Sequence, residues 1–508
     1  MSRRIIVMKE EIKEQIAVSS FWNFLMVLCA RVGGLIFTIL VARFLLPENF
    51  GIYNLAMAIA LLLLVSIDTG INQSILKYIS EAIGKNNKKL AAADARYLFR
   101  LKLGITLLLA FLLLILAYPI SYYFFGKPAL FFPLLMTSLY VISYSVGSFY
   151  EYLFYVIEKV KYITVKQLIF ETTRIFLVLG VILFIGTQYY VLGTIGVLAF
   201  SMFIAGSFLF FNVRRLIPFL FEKTEEKVDR KRIFTFFLYL STIGSFLVLF
   251  GYIDTIILGI FLDSSYVGYY NAALALTSGL WSILNISNIM LPIFTRMNNH
   301  DLHTAANKVF RYLSLFAIPA IFGIFALGKY GIRFVYGYEY LPAVLPFYIL
   351  SLLVFEVPFI SILTSLFSAK EEPKYVVRIV LWTTILNIVL NYIFVSYLLR
   401  FSPNHAVAGA ATATVISQTT YLLGLLFYAN RTLQLRFHVR FLVKPTIASF
   451  CMFGILYGIG RYFSEINIFI GLGEIILGIV IYFFVMLLIG GITKEDFFLF
   501  NELIRRSK

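Results

Sequence analysis

Runs of about twenty apolar residues recur along nearly the whole chain, and no other feature limits the possible folds so strongly. Coiled as an α-helix, such a run spans the roughly 30 Å hydrocarbon core of a bilayer. Fourteen can be placed, near residues 17–42, 51–76, 99–118, 129–153, 163–186, 190–213, 234–262, 266–291, 309–328, 342–368, 375–398, 405–429, 445–463 and 470–490. The polar joints between them leave no room for a folded soluble domain. With 61% of 508 residues hydrophobic and 14% charged, a water-soluble fold could not hide its apolar surface. The expectation is an all-α polytopic membrane protein of about 14 transmembrane helices.

Lys and Arg set its orientation, because basic joints stay in the cytoplasm. Of 43 Lys and Arg, 35 fall at the N-terminus, in residues 77–102, 159–166, 214–232, 296–311, 370–378 and 431–444, and in the C-terminal tail. The alternate joints carry six, and Arg31 and Arg174 lie within spans. Strict alternation predicts that both termini are cytoplasmic. It also accounts for the net charge of +17 as a membrane-facing signature touching anionic lipid, which argues against nucleic-acid binding. Cys29 and Cys451 sit inside apolar runs, so no disulfide framework is implied. The outer joints are rich in aromatics (Tyr122, Tyr123, Tyr189, Tyr190, Tyr269, Tyr270, Tyr336, Tyr338, Tyr340), which reads as an interfacial belt or as a sugar-stacking platform.

The chain repeats. Shifted by 217 residues, seven of the fifteen positions from 44 to 58 are identical, including Gly51, Tyr53 and Asn54 on Gly268, Tyr270 and Asn271. Lys161-Tyr162 and Lys374-Tyr375 give a second echo. The offset covers six spans, an even number, so both copies have the same orientation. Two pseudo-symmetric six-helix lobes are expected: an N-lobe with its cytoplasmic linker over 1–232 and a C-lobe over 233–440. An extra C-terminal helix pair and tail occupy 441–508. Parallel lobes with a cleft between them suit alternating access.

Charged residues inside spans are costly and mark a cavity or a partner. Here they are Arg31, Asp68, Glu171, Arg174, Asp254 and Glu356. Arg31 and Arg174 both fall near mid-membrane depth, and guanidinium groups grip phosphate oxygens with a fork of donors. Internal ion pairs, Arg31 with Asp68 and Arg174 with Glu171, are the alternative reading. At the repeat offset Arg31 falls on Val248 and Asp68 on Asn285, so the charges belong to the first lobe alone. The second lobe offers Asp254 and Glu356 with the amides Asn285, Asn288, Asn387 and Asn391. These suit either a small hard cation such as Na⁺ or interhelical hydrogen bonding, and Asp254 alone could carry a proton.

Other chemistry is not indicated. No phosphate-binding Gly-x-x-x-x-Gly-Lys run is present. His300 and His303 form a lone pair in a short joint, and Gly471-x-Gly473 opens a span without the context of a dinucleotide site. With four His and few acids, hydrolytic or transferase chemistry has little to work with, so no enzyme and no organic cofactor are expected.

The stretch Trp22-Asn23, Ala30-Arg31-Val-Gly-Gly34, Ala42-Arg43-Phe-Leu-Leu-Pro47-Glu-Asn-Phe-Gly51-Ile-Tyr53 and Asp68-Thr-Gly70 resembles the opening of the polysaccharide-biosynthesis flippases. These belong to the multidrug/oligosaccharidyl-lipid/polysaccharide exporter superfamily. Leu386-Asn387-Ile-Val-Leu-Asn391-Tyr-Ile and Val407-Ala-Gly409-Ala-Ala-Thr-Ala-Thr414-Val-Ile-Ser417 resemble that family's spans 11 and 12. The resemblance implies two six-helix lobes and translocation of a polyprenyl (pyro)phosphate-linked oligosaccharide across the plasma membrane for cell-surface glycan synthesis. Arg31, Arg174, Asp68 and Glu356 are the substrate-binding candidates. The branch that binds lipid II implies a role for Arg31, and implies a Na⁺ site at Asp254, Asn387, Asn391 and Thr414, with Asn391 replacing an acid. Na⁺ or H⁺ is the implied coupling ion, and the extra helix pair favours a lipid substrate. Two alternatives stay open: a cation-coupled drug or metabolite antiporter, and a non-transporting scaffold for glycan-synthesis enzymes.

Overall fold

The computed structural model describes residues 2–222, 224–435, 440–460 and 468–492. The C-terminal tail and the side chains of residues 2–17, Asn288 and His300 lie outside the described residues, and so do the readings that rest on them. Every regular element among the described residues is helical.

The first element, α1 (Ser2–Ser74), contains two of the expected spans. They are separated by one residue: Leu46 has φ 61° and ψ 168°, and Pro47 opens the second arm. Proline favours the first helical position and drives its predecessor out of the helical region. That φ/ψ combination is one that side chains rarely adopt, so the joint is strained. The helical stretch Phe21–Gly84 has 64 residues, about three membrane thicknesses at 1.5 Å per residue, so the break must reverse the chain.

A π-helical turn (Ile75–Ile79) and α2 (Ser80–Gly84) follow, then α3 (Lys88–Pro119), α4 (Phe131–Val156), α5 (Val160–Phe184), α6 (Tyr190–Leu216) and α7 (Arg230–Phe261). The chain continues through α8 (Ser264–Leu284), α9 (Ser287–Thr295), α10 (Asn299–Tyr336), α11 (Val344–Leu350), α12 (Leu353–Ala369), α13 (Pro373–Leu398), α14 (Pro403–Leu433), α15 (Arg440–Gly460) and α16 (Ile468–Leu488).

Among the described residues, ten helices are long and apolar enough to cross a membrane, or up to twelve if each of two bent pairs is one span. The protein is therefore a multi-pass membrane protein. Two expected spans are interrupted. The one at 342–368 bends by 45° between Tyr338–Leu350 and Leu353–Ala369. The one at 266–291 breaks between α8 and α9, where the Asn285 side-chain oxygen accepts from the Ser287 amide (3.2 Å) and hydroxyl (2.7 Å). Asn285 is the repeat partner of Asp68, whose own helix runs on unbroken.

The chain forms two compact units, Met1–Asn271 and Ala272–Lys508. In the first, Ile75, Ile79, Leu98, Leu153, Phe154, Ile163 and Leu209 form a buried apolar cluster. In the second, Phe294, Phe310, Leu363, Leu366, Phe367 and Leu425 do the same. The C-terminal pair docks on α10: Met452, Leu456, Tyr482 and Met486 cluster with Leu315 and Phe322, and the Tyr482 hydroxyl donates to the Leu315 carbonyl (2.9 Å).

The repeat signature is a contact. A Cβ on Gly51 would lie 1.7 Å from the Ser264 carbonyl oxygen, and one on Gly268 would lie 2.1 Å from the Pro47 carbonyl oxygen. Pro47 and Ser264 are themselves repeat partners, so the two copies touch reciprocally, backbone to backbone, where only glycine fits. Asn54 and Asn271 serve the same local purpose in each copy. Each side-chain amide donates to the carbonyl four residues earlier, on Phe50 (2.7 Å) and Val267 (2.9 Å). Not every aromatic of the outer joints faces the bilayer. Tyr123, Tyr189 and Tyr338 are exposed, whereas Tyr270, Tyr336 and Tyr340 are buried core residues.

Candidate functional site

Among the described residues, acids and bases pair in the interior of the first unit. Asp68 of α1 pairs with Lys102 of α3 (3.2 Å), Glu151 of α4 with Lys166 of α5 (2.9 Å), and Glu171 with Arg174, both on α5 (2.5 Å). Only the last was expected. Asp68 takes Lys102 where Arg31 was the alternative partner.

Lys102 is 2% exposed, and its ammonium also donates to Asn72 Oδ1 (2.8 Å) and Ser148 Oγ (2.6 Å). Asp68 in turn accepts from Ser148 Oγ (2.6 Å) and Ser145 Oγ (3.3 Å). Every ammonium proton and both carboxylate oxygens thus have partners, the condition for a buried pair to be tolerated. The orientation count placed Lys102 and Lys166 in cytoplasmic joints, and the structure places both inside the bundle. The sequence held a signal for Lys102. It falls at helical spacing on the stripe Ala91, Ala95, Leu98, Thr106, Ala110, Leu113, Ala117, which forms the buried face of α3.

Arg174 packs against α1. Its guanidinium lies over the rings of Phe37 (4.6 Å) and Phe170 (4.7 Å), and its Nε donates to Glu171 Oε2 (2.8 Å). Gly33 and Gly34 make the room. A Cβ on Gly33 would meet Glu171 at 2.3 Å, and one on Gly34 would meet Arg174 Nη2 at 3.5 Å. Gly34 is three residues after Arg31, on the same helix face and about 4.5 Å along the axis. Arg174 therefore sits against the stretch of α1 that lies one turn after Arg31.

Asp254 of α7 also belongs to the first unit. It is buried, and its Oδ2 accepts from the hydroxyl of Tyr270 (2.6 Å). The repeat's Tyr thus fixes this acid. In the second unit, Gly409 of α14 abuts Phe394 and Leu398 of α13, and Gly424 abuts Ile379. That antiparallel register sets Asn391 level with Thr414 and Asn387 level with Ser417. All four are buried, Asn391 Nδ2 donates to the Asn387 carbonyl, and the side-chain oxygens of Asn387 and Ser417 have no hydrogen-bond partner among the described residues. No group of three or more His, Cys, Asp and Glu suited to a metal occurs among the described residues. Neutral amide and hydroxyl oxygens fit a hard monovalent cation and not a divalent one.

Glu356 of α12 is buried in the same unit, and its Oε1 accepts from Thr419 Oγ1 (2.5 Å). Glu474 of α16 was not anticipated: it is buried, and neither carboxylate oxygen has a hydrogen-bond partner among the described residues.

Solved structures of membrane transporters share this helical fold. The chain superposes on the lipid II flippase MurJ in an inward closed conformation with a TM-score of 0.74 and 18% identity, covering 92% of this chain and 98% of that one. An inward-facing multidrug resistance MATE family transporter of the MOP superfamily gives a TM-score of 0.63 at 15% identity, covering 80% and 95%. The family model described as "Polysaccharide biosynthesis protein" matches residues 16–298, more than half of the chain. The chain belongs to that family. It is 27% identical over 270 residues to the probable low-salt glycan biosynthesis flippase Agl15 of Haloferax volcanii, a match covering 51% of this chain. The chain spans about half the length (54%) of that curated relative.

Proposed function

We propose that this protein is a flippase, not an enzyme, and that it moves a polyprenyl (pyro)phosphate-linked oligosaccharide across the plasma membrane by alternating access. The observation that carries the reading is the charged interior of the first unit, where the Arg174 guanidinium is held against α1 beside Gly34, one helical turn along the chain from Arg31. A guanidinium held there can grip the oxygens of a phosphate or pyrophosphate, with Arg31 as the second donor in this reading, while the lipid tail stays in the bilayer. Membership of a polysaccharide-biosynthesis family and similarity to a protein named as a glycan biosynthesis flippase support the substrate class.

In this reading Arg31 and Arg174 hold the phosphate. Asp68 is a positioning residue locked to Lys102, and Glu356 faces the saccharide path. Fourteen crossings place both termini in the cytoplasm. The lobes are 1–232 and 233–440, with 441–508 serving the lipid tail. Asn387, Asn391 and Thr414 are assigned to a Na⁺ ion whose gradient drives transport, and Asp254, fixed by Tyr270, carries a proton where H⁺ is the coupling ion.

The test is export of the lipid-linked glycan by Arg31→Ala and Arg31→Lys variants at matched membrane expression. Arg31→Ala should abolish export, and Arg31→Lys should retain part of it, because an ammonium keeps the charge but loses the fork. Export at the wild-type rate by Arg31→Ala would refute the assignment.

A further inference from the structure

We propose that a groove between the π-helical turn Ile75–Ile79 and the start of α7 binds the phosphate-bearing headgroup of a lipid. The groove has a volume of about 610 Å³, and three basic side chains line it: Lys77, Lys231 and Arg232. Its volume lies within the roughly 300–1,000 Å³ typical of small-molecule sites, far more than a bare phosphate needs.

The cations are arranged to receive an anion. The Lys77 ammonium lies 4.0 Å from the centre of the Phe236 ring and 5.5 Å from that of Tyr78. Aromatic faces hold a cation in place without neutralising it. Neither Lys77 nor Lys231 has a carboxylate partner among the described residues. Arg232 is anchored over the Tyr78 ring (5.2 Å) and reaches Glu81 at 3.4 Å. Asp229, the one acid lining the groove, is occupied as the cap of α7, where its Oδ1 accepts from the Arg232 amide (3.0 Å). Three cations against Asp229 and the Glu81 carboxylate that Arg232 reaches still leave the groove net positive.

Two further features favour a lipid over a soluble phosphate. The groove lies where the basic joints 77–102 and 214–232 come together, and basic pockets between helices recruit anionic lipids. Phe236 and the exposed Tyr239 continue its wall along α7 and offer an apolar face to a hydrocarbon tail. The π-helical turn sets the geometry. One extra residue in that turn swings Lys77 and Tyr78 onto the side facing α7, and such turns occur frequently at functional sites.

The chemistry suits two sources, a bilayer phospholipid or a polyprenyl phosphate, and the experiment separates them. Purified full-length protein is placed in phosphatidylcholine nanodiscs containing radiolabelled phosphatidylglycerol or undecaprenyl phosphate, and equilibrium binding is measured without any transport step. Each surface cation is worth about fivefold in affinity, so the K77Q/K231Q double variant should bind about thirtyfold more weakly. K77R/K231R should bind like wild type, which shows that the loss is not misfolding. K159Q/K227Q removes the same charge from exposed positions elsewhere and should also bind like wild type. Preference for phosphatidylglycerol assigns the groove to a resident bilayer lipid, and preference for undecaprenyl phosphate assigns it to incoming substrate. The proposal is overturned if K77Q/K231Q binds as wild type does, or if K159Q/K227Q loses as much.

Discussion

Lys102 gives the sharpest prediction. Changing it to Met removes the ammonium and all three of its bonds, to Asp68 (3.2 Å), Asn72 (2.8 Å) and Ser148 (2.6 Å). Asp68 is 4% exposed and would keep only the Ser145 and Ser148 hydroxyls. Removing one partner of a buried pair costs about 3–5 kcal/mol, because the other charge is left without compensation. The substitution nearly conserves side-chain volume, so that cost is electrostatic. Replacing both partners, in Asp68→Asn with Lys102→Met, removes the buried charge altogether and should recover most of the loss. The assay is a double-mutant cycle on reversible unfolding in mixed micelles, with glycan export measured in parallel. A coupling energy below about 0.5 kcal/mol, the scatter seen between independent sites, would refute the reasoning. Export retained by the neutral pair would show that Asp68 positions helices and does not touch substrate.

Three further outcomes follow from packing and donor chemistry. Gly51→Ala and Gly268→Ala each place a Cβ inside a facing carbonyl and should destabilise by about 3 kcal/mol, the upper part of the overpacking range; thermal unfolding within 1 °C of wild type would contradict the reciprocal contact. Gly33→Ala drives a methyl into the Glu171 carboxylate and should detach it from Arg174, lowering export with little change in membrane expression; unchanged export would disprove the link. If Asn387 and Thr414 hold Na⁺, that ion should raise the melting temperature of the wild-type protein but not of Asn387→Leu or Thr414→Val. A rise that persists in both variants places the ion elsewhere.

Much of the fold was legible because lipid restricts the alternatives. Long apolar runs in a bilayer have to be helices, and the 217-residue echo of Gly-x-Tyr-Asn marked the two glycines that make the Gly51 and Gly268 close approaches. Where the reading erred, it treated cations as markers of water. Lys102 and Lys166 lie near span ends, and their sequence neighbours are basic, so a charge count assigns them to the cytoplasm. Tertiary packing overrode that count because Asp68 and Glu151 were waiting on neighbouring helices. The turn at 43–50 shrank to Leu46 because Pro47 can start a helix at once. For the candidate site, Arg31 and Arg174 were legible as charges inside apolar runs. The seat of Arg174 on α1 depended on Gly33 and Gly34 letting α5 approach, which spacing alone does not reveal. The groove beside Lys77 was hidden for another reason: a π-helical turn leaves almost no trace in composition.

The Gly51–Gly268 crossing has the form of a symmetric interface. Each side supplies a glycine to one half of the contact and a carbonyl to the other, from positions 217 residues apart. Two identical chains about a twofold axis would meet in the same way, one sequence writing both sides. Because both sides lie in one chain here, either can change alone: Val248 stands at the offset from Arg31, an asymmetry that two identical chains could not hold.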